Sequence, residues 1–189
     1  MAQEIEIEFK NLLTKAEYVL LLDRLPFPKE GQNQTNYYFE TTDNKLQIKN
    51  SALRIREKNE AFKLTLKEPH PEGLLETHDS LTKREAMEWM NGNPIPKEAT
   101  TKQLNQLGVC VADLIYKGKL MTSRHEYDQD GLIYVLDHSI YLDHEDYELE
   151  IEATNRQAGL QALDTVLNDW GIERKETPNK IARFFSRIK

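Results

Sequence analysis

The sequence contains one cysteine and no long hydrophobic run. A single cysteine cannot support a disulfide framework, and Cys110, flanked by two valines, is typical of a small buried hydrophobe in a reducing compartment. No stretch approaches the length of a membrane-spanning helix, and no apolar segment precedes the first predicted strand. We therefore expect a cytoplasmic protein without a membrane anchor or a signal peptide.

The chain also lacks internal repeats, low-complexity tracts and linkers rich in serine or glycine. Its 189 residues are 39% hydrophobic and 30% charged, which suits a polar globular protein with a substantial core. These features predict a single domain over residues 1–189. The net charge of -7 argues against binding to nucleic acids or membranes by simple electrostatics, and the sequence does not indicate an oligomeric state.

Strand-like segments dominate the chain, and helical segments lie between and after them. The predicted strands cover about 4–10, 34–41, 53–57, 62–67, 73–81, 118–128, 132–142 and 147–153. The predicted helices cover about 14–25, 82–90, 97–107 and 155–170, and a last one begins at Thr177-Pro178. Short connections favour antiparallel pairing. The predicted class is α+β, with a large closed antiparallel sheet and helices packed outside it.

The opening strand alternates strictly between charged and apolar residues. Its apolar face carries Ile5, Ile7 and Phe9, and its charged face carries Glu4, Glu6, Glu8 and Lys10. Carboxylates two positions apart on a strand lie about 6.5 Å from one another, so each repulsion is about 2.5 kcal/mol in a partly shielded setting. Water would reduce this repulsion on an exposed face. A shielded face would need a bound cation.

A second charged face is basic and lies on the hairpin formed by the third and fourth predicted strands. A turn at Glu60-Ala61 would place Lys58 opposite Lys63, Arg56 opposite Thr65 and Arg54 opposite Lys67. Up to five cations then share one surface, while leucine, isoleucine and phenylalanine side chains share the other. Because facing like charges destabilise a sheet, this surface favours a polyanion as its ligand.

The last three strands carry another acidic face. The turn signal Asp130-Gly131 places Arg124 opposite Asp137, and a turn near Asp143-His144 would place Asp137 opposite Glu150. Glu148 and Glu152 then lie on the same face as Glu150. Each charged face could simply be solvated. Two acidic triplets and a cationic hairpin, all backed by apolar faces, instead favour a closed sheet whose charged lumen binds Mg²⁺ or Mn²⁺ and phosphates.

These residues resemble the CYTH superfamily of triphosphate tunnel metalloenzymes, which includes class IV adenylate cyclases and thiamine triphosphatases. The run from Glu6 to Lys10 is similar to the family's E-x-E-x-K signature, and Arg54-Ile55-Arg56 is similar to its R-x-R strand. Later positions that resemble the family's tunnel residues are Lys63, Lys67, Arg124, Asp137, Glu148, Glu150, Glu152 and Lys180. The similarity runs over nearly the whole chain and implies an eight-stranded tunnel.

The resemblance implies a metal-dependent hydrolase of inorganic triphosphate or a small triphosphate compound. It implies three catalytic residues, Lys10, Arg56 and Asp137. The implied triphosphate-binding residues are Lys10, Arg54, Arg56, Lys63, Lys67, Arg124 and Lys180. The implied Mg²⁺ or Mn²⁺ ligands are Glu6, Glu8, Glu148, Glu150 and Glu152, and either Glu148 with Glu150 or Glu150 with Glu152 could be the matched pair. A carboxylate or a metal-bound hydroxide would activate the attacking water.

Two other functions are compatible with the sequence. One is a class IV-type adenylate cyclase, and the other is a non-catalytic polyphosphate- or nucleotide-binding module. Animal thiamine triphosphatases place an aromatic residue two positions before the R-x-R arginine, where this chain has Ala52, so a smaller substrate such as inorganic triphosphate is favoured. The five histidines show no ligand spacing and are predicted to be structural or surface residues.

Overall fold

Eight antiparallel strands close into a barrel in the computed structural model of the protein, which describes residues 2–188. The strands are β1 (Gln3–Leu13), β2 (Gln32–Glu40), β3 (Ala52–Lys58), β4 (Ala61–His70), β5 (Gly73–Leu81), β6 (Ile115–Gln129), β7 (Leu132–Tyr141) and β8 (His144–Ala153). Their order around the barrel is β1-β5-β4-β3-β2-β6-β7-β8. The predicted α+β class with a closed eight-stranded sheet is therefore confirmed.

Six helices accompany the barrel in the described part of the chain. They are α1 (Lys15–Arg24), α2 (Lys45–Ile48), α3 (Lys83–Met90), α4 (Glu98–Gln106), α5 (Arg156–Asp169) and α6 (Lys180–Arg187). Thr14 and Thr82 form capping boxes with Glu17 and Glu85, which explains why α1 and α3 begin where the sequence predicts. The last helix begins later than predicted, because Asn179 and not Thr177 is its N-cap residue. The short helix α2 was not predicted.

Two compact units can be distinguished in the chain. The first comprises the residues up to Ile5 together with Gln34–Leu120, and the second comprises Glu6–Asn33 together with the chain from Met121 onward. Each unit has a hydrophobic cluster of its own. We describe them separately below as the first unit and the second unit.

The core of the first unit lies between its strands and the helices α3 and α4. Leu53 and Ile55 on β3 and Leu64 on β4 are fully buried, and they pack in one cluster with Trp89 of α3 and Leu104 of α4. Alternation along each strand directs these side chains outward, toward the helices. The intervening charged residues therefore point to the inner face of the sheet.

The core of the second unit has the same arrangement. Leu136 of β7 and Leu149 of β8 pack against α1 and α5, where Leu21 and Leu163 are also fully buried. Gly159 allows the close approach of α5, because a Cβ atom at this position would lie 2.8 Å from the Cβ of Ala153 and from the ring of Phe9. The charged residues of these strands again take the inner face.

The pairing of β3 with β4 differs from the predicted register. The turn is formed by Asn59 and Glu60, which both have a positive φ, so Arg56 pairs with Lys63 and Arg54 with Thr65. The prediction, which centred the turn at Glu60-Ala61, was wrong by two residues. A shift of two leaves each side chain on its predicted face, because the side-chain period of a strand is two.

The two hairpins of the second unit give different outcomes. Asp130 and Gly131 have a positive φ, and the predicted pairing of Arg124 with Asp137 is confirmed. The next turn lies one residue earlier than predicted, at Leu142-Asp143, because Leu142 takes the left-handed conformation. Asp137 therefore pairs with Glu148, and the predicted pairing with Glu150 was wrong.

Two remaining predictions concern the burial of Cys110 and the absence of a membrane-spanning helix. The thiol residue Cys110 is exposed, so the prediction of a buried hydrophobe at this position was wrong. Cys110 precedes a 3-10 turn at Val111–Asp113, where its neighbours Val109 and Val111 supply the buried apolar contacts. No helix within residues 2–188 has the length and apolar character needed to cross a membrane.

Candidate functional site

Carboxylates from three neighbouring strands meet on the inner face of the second unit. Lys10 of β1 pairs with Glu150 of β8, and Glu8 pairs with Glu152. On the other side of β8, Glu148 pairs with Asp137 of β7. Because directly paired residues point to the same face of a sheet, the register alone brings these groups together. We call the five acidic residues the acidic network: Glu8, Asp137, Glu148, Glu150 and Glu152.

Arg124 of β6 binds the acidic network through most of its guanidinium. Its Nε and Nη2 donate to the two carboxylate oxygens of Asp137 at 2.9 and 2.7 Å, which is a bidentate arrangement. Its Nη2 also donates to Glu150 Oε2 at 2.7 Å, and its Nη1 lies 3.6 Å from Glu152. The Asp137 side chain is fully buried, so this pair is shielded from water.

Lys180, the first residue of α6, places its ammonium among the same carboxylates. Its Nζ lies 2.7 Å from Asp137, 2.8 Å from Glu150 and 3.4 Å from Glu148. The segment before α6 is fixed by Asn11 of β1, whose amide donates to the carbonyl of Glu173 and accepts from the backbone of Lys175. Lys180, which the resemblance assigns to the tunnel as a phosphate-binding residue, thus lies among the carboxylates of the acidic network.

Arg183 is a member of this cluster that the sequence did not reveal. It lies one helical turn after Lys180, and its guanidinium binds Asp146 at 2.9 Å and the Oε2 of Glu148. Arg183 lies three positions after Lys180, a spacing that places both on one face of a helix. That spacing was the available signal, and it requires knowing that α6 begins at Lys180.

Burial and close cations act on the acidic network in opposite directions. Burial would raise the pKa of Asp137 and of Glu150, but Arg124 and Lys180 hold the pKa of both carboxyls below their usual values. Burial raises the pKa of Glu148 to about 7, against the lowering effect of Lys180. Burial would lower the pKa of Lys180, but the surrounding carboxylates raise it. Lys180 therefore stays charged.

The acidic network has the chemistry of a site for a hard divalent cation. Its donors are all carboxylate oxygens, which suit Mg²⁺ or Mn²⁺. Glu148 Oε1 is buried and accepts no hydrogen bond from the described residues, so one acceptor oxygen remains for a further ligand. Glu6, two positions before Glu8 on the same strand, is half-buried and points to the same face.

The inner face of the first unit is predominantly basic. Arg54 and Arg56 on β3 share this face with Lys63 and Lys67 on β4, and we call these four residues the basic face. Lys63 is exposed, whereas the two arginines and Lys67 are half-buried. The predicted gathering of cations on one surface is thus seen in the structure, in the corrected register.

Arg54 differs from its neighbour Arg56 in how its Nε is satisfied. The Nε of Arg56 donates to Asn36 Oδ1 on β2 at 2.9 Å, and Asn36 is itself buried. The Nε of Arg54 is buried and has no hydrogen-bond partner in the part of the chain that the structure describes. A buried donor without a partner is costly, so this atom indicates a place where an anion is expected.

A mixed cluster lies beside the basic face in the first unit. Lys67 forms an ion pair with Glu76 of β5, and His78 Nε2 lies 2.8 Å from Glu4 Oε1 and 3.4 Å from Glu76 Oε2. Thr65 Oγ1 is 3.0 Å from the other ring nitrogen, Nδ1. The prediction that His78 is merely structural was incomplete, because it overlooked that His78 shares the face of Lys67 and Glu76.

The comparisons with known proteins agree with this geometry. The profile of the CYTH domain family matches residues 4–185. YjbK of Bacillus subtilis (strain 168), named as a candidate triphosphatase, is 43% identical over 186 residues, which cover 98% of this chain and 96% of YjbK.

Two solved structures are similar over nearly the whole chain. A crystal structure from Bacillus halodurans, described as a candidate adenylate cyclase, has a TM-score of 0.93 at 41% identity and covers 98% of this chain and 100% of that one. HpAC1 from Hippeastrum, described as a candidate adenylyl cyclase with a dominant triphosphatase activity, has a TM-score of 0.80 at 28% identity and covers 96% of each chain. With its closed barrel, its acidic network and its basic face, the chain belongs to the CYTH domain family.

Proposed function

We propose that the protein is a divalent-metal-dependent hydrolase of inorganic triphosphate or another small triphosphate compound. The observation that carries this proposal is the buried Nε of Arg54, which has no hydrogen-bond partner among residues 2–188. An arginine in that state fits a phosphate oxygen better than any neutral ligand. The triphosphatase activity described for HpAC1 and the name given to YjbK favour the same reaction.

The basic face would bind the phosphate chain. Asn36 accepts a hydrogen bond from the Nε of Arg56 and orients its guanidinium, which would form one fork on the anion. Arg54 would contribute a second guanidinium fork, and Lys63 and Lys67 would contribute point charges along the anion. We propose that Lys10, Arg124 and Lys180 of the second unit also contact phosphate oxygens.

The acidic network, together with Glu6, would hold Mg²⁺ or Mn²⁺, and the proposed ligands are Glu6, Glu8, Glu148, Glu150 and Glu152. When bound, the cation would neutralise charge on the phosphates and polarise a phosphoryl oxygen. Asp137 is fully buried between Arg124 and Lys180, so it would orient those two cations. This positioning defines its proposed catalytic role.

The proposed reaction is a direct in-line displacement. A water oxygen forms a bond to the terminal phosphorus, and the bond from that phosphorus to the bridging oxygen breaks. One carboxylate of the acidic network accepts the proton of the water, and diphosphate and orthophosphate leave. Catalysis would come from positioning and charge neutralisation, with Lys10 and Arg56 acting on the transferred group.

Two variants test the proposal. Arg56→Ala and Glu8→Gln should each abolish metal-dependent tripolyphosphate hydrolysis, measured by phosphate release with Mg²⁺ and with Mn²⁺. Both variants should retain the circular dichroism spectrum and cooperative unfolding of the wild type. Arg84→Ala and Glu72→Gln, at exposed positions, are matched controls that should remain active. Retained activity in both site variants would refute the proposal.

A substrate screen separates hydrolysis from cyclisation. Tripolyphosphate, thiamine triphosphate, ATP and GTP should be compared at neutral and alkaline pH. We expect tripolyphosphate to be the fastest substrate, and ATP to give ADP and phosphate. Cyclic AMP with diphosphate would instead assign an adenylate cyclase, and tight binding without turnover under both metals would assign a binding module.

A further inference from the structure

The ammonium of Lys180 occupies the centre of the carboxylates that the proposed function assigns to metal binding and positioning. It forms ion pairs with Asp137 and Glu150 at 2.7 and 2.8 Å and lies 3.4 Å from Glu148. An ammonium has three N–H donors, and three carboxylates surround this one. The side chain is largely shielded from solvent, so the cluster is held by its own charges rather than by water.

A divalent cation and this ammonium compete for the same oxygens. If both contacted Glu150, three positive charges would lie within a few ångströms of one another in a place shielded from water. Repulsion between like charges is strong at such distances, because little solvent lies between them. A metal ion can therefore take these carboxylates only if the ammonium moves away from them.

The body of α6 cannot easily carry the ammonium away. Arg183 binds Asp146 at 2.9 Å and also binds Glu148, and Phe184 is fully buried beside Tyr141. The motion is thus confined to the flexible side chain of Lys180. A buried ammonium that leaves its carboxylates needs another anion at once, because an unpaired buried charge is very costly.

We propose that this site takes its metal ion together with the polyphosphate, as a metal–triphosphate complex, and binds the free metal ion only weakly. The phosphate oxygens provide the new partner for the Lys180 ammonium while the cation takes over the carboxylates. Binding of metal and binding of polyphosphate are then positively coupled through one side chain, and the coupling is reciprocal. This inference rests on the proposed function, specifically on the acidic network being the metal site.

The test is a binding measurement that needs no turnover. Mn²⁺ binding is followed by electron paramagnetic resonance of the free ion for the wild type and for Lys180→Met, Lys180→Arg and Lys175→Met. Lys180→Met removes the competing ammonium, leaves the Arg124 guanidinium in place, and should bind free Mn²⁺ at least about tenfold more tightly than the wild type. Lys180→Arg keeps the charge and should show no such gain. Lys175 pairs with Glu17 outside the acidic network, so its variant is the matched control.

A second measurement uses the wild type alone, in case the Lys180 variants do not fold. The binding of an imido analogue of tripolyphosphate, which resists hydrolysis, is measured by calorimetry with and without Mn²⁺. We expect Mn²⁺ to raise the analogue affinity at least about tenfold. Equal Mn²⁺ affinities for wild type and Lys180→Met, or equal analogue affinities with and without Mn²⁺, would overturn the inference. Mn²⁺ that binds neither alone nor with the analogue would overturn the metal assignment itself.

Discussion

The two units carry charge on their inner faces in different ways. In the second unit, cations and carboxylates alternate, and both Arg124 and Lys180 contact Asp137 and Glu150 within hydrogen-bond distance. In the first unit, the basic face contains Arg54, whose buried Nε has no partner among the described residues. The charges of the acidic network are compensated within the protein, whereas the Nε of Arg54 in the basic face is not.

This difference separates residues that stabilise the fold from residues that wait for a ligand. A buried cation that already has its counter-ions is part of the folded state, and its removal leaves buried negative charge behind. A buried donor nitrogen without a partner, such as the Nε of Arg54, contributes nothing favourable until an acceptor arrives. Equivalent substitutions in the two units should therefore act on different properties, and the following experiments test that division.

The largest effect is expected in the second unit. Arg124→Met should lower the free energy of unfolding by about 3–5 kcal/mol, because it leaves the buried Asp137 and Glu150 without one of their two close cations. Urea unfolding at pH 7.5 measures this change. Arg24→Met is the control, since Arg24 pairs with Asp23 at 3.5 Å on the exposed surface and should change stability by less than about 0.5 kcal/mol. Equal effects of the two substitutions would contradict the comparison.

The matching substitution in the first unit should leave the free energy of unfolding unchanged and strongly reduce hydrolysis. Arg54→Met removes a half-buried cation, so we expect no loss in the free energy of unfolding. Tripolyphosphate hydrolysis, measured as kcat/KM, should fall by about 100-fold, because a charged donor to a phosphate oxygen is lost. If Arg54→Met were destabilised as much as Arg124→Met, the first unit would be as compensated as the second.

A smaller effect is expected for Arg56, the cation of the basic face whose Nε donates a hydrogen bond to Asn36. Asn36→Ala removes the acceptor for Arg56 Nε and should raise KM for tripolyphosphate by about five- to tenfold with a smaller change in kcat. The same substitution made in an Arg56→Ala background should have no further effect on kinetics. An equal loss in both backgrounds would mean that Asn36 acts independently of Arg56.

The sequence predicts the strand faces well, but it predicts a hairpin register only where the residue types in the turn favour the turn's backbone conformation. The alternation in β1, β3 and β8 predicts which side chains share a face, because the period of a strand is two. Asp130-Gly131 predicts its register because both residues accept a positive φ. Glu60 and Leu142 also take a positive φ, which their residue types do not suggest, so both of those registers were missed.

The ion pairs of the site were less accessible to sequence reasoning. Residue types and spacing indicate a cluster, but they do not say that Lys180 lies between Asp137 and Glu150 or that Arg183 joins it. Those contacts depend on where α6 begins and on how Asn11 fixes the segment before it. Long-range contacts of this kind leave no periodic signal in the chain.

The smallest expected effect is on stability and concerns Glu68, whose carboxyl group lies on the outer face of the first unit. Glu68 lies on β4 on the face of Leu66, its Oε2 is buried without a hydrogen bond to the described residues, and burial raises its pKa above the ordinary 4.5. The folded state therefore binds the proton of the Glu68 carboxyl more tightly than the unfolded chain does. The stability that this protonated carboxyl contributes below pH 4.5 is lost as the pH rises through its raised pKa.

Glu68→Gln should remove the loss of stability that ionisation of Glu68 causes as the pH rises. The melting temperature of the variant should exceed that of the wild type by about 1–3 °C at pH 7, and the difference should shrink toward pH 4. Glu72→Gln, in the exposed turn between β4 and β5, should show no such trend. A difference for Glu68→Gln that stays constant from pH 4 to pH 7 would assign the effect to packing instead of charge.

The pairing of β1 with β8 sets the time at which the barrel can close during synthesis. Lys10 pairs with Glu150, so the opening strand leaves the ribosome 140 residues before its partner does. Until then one edge of β1 exposes unpaired backbone groups, which can pair with another chain. Contacts between residues so far apart in the chain also form slowly. The barrel should consequently close only after β8 has left the ribosome, and the nascent chain must be kept from aggregating until that moment.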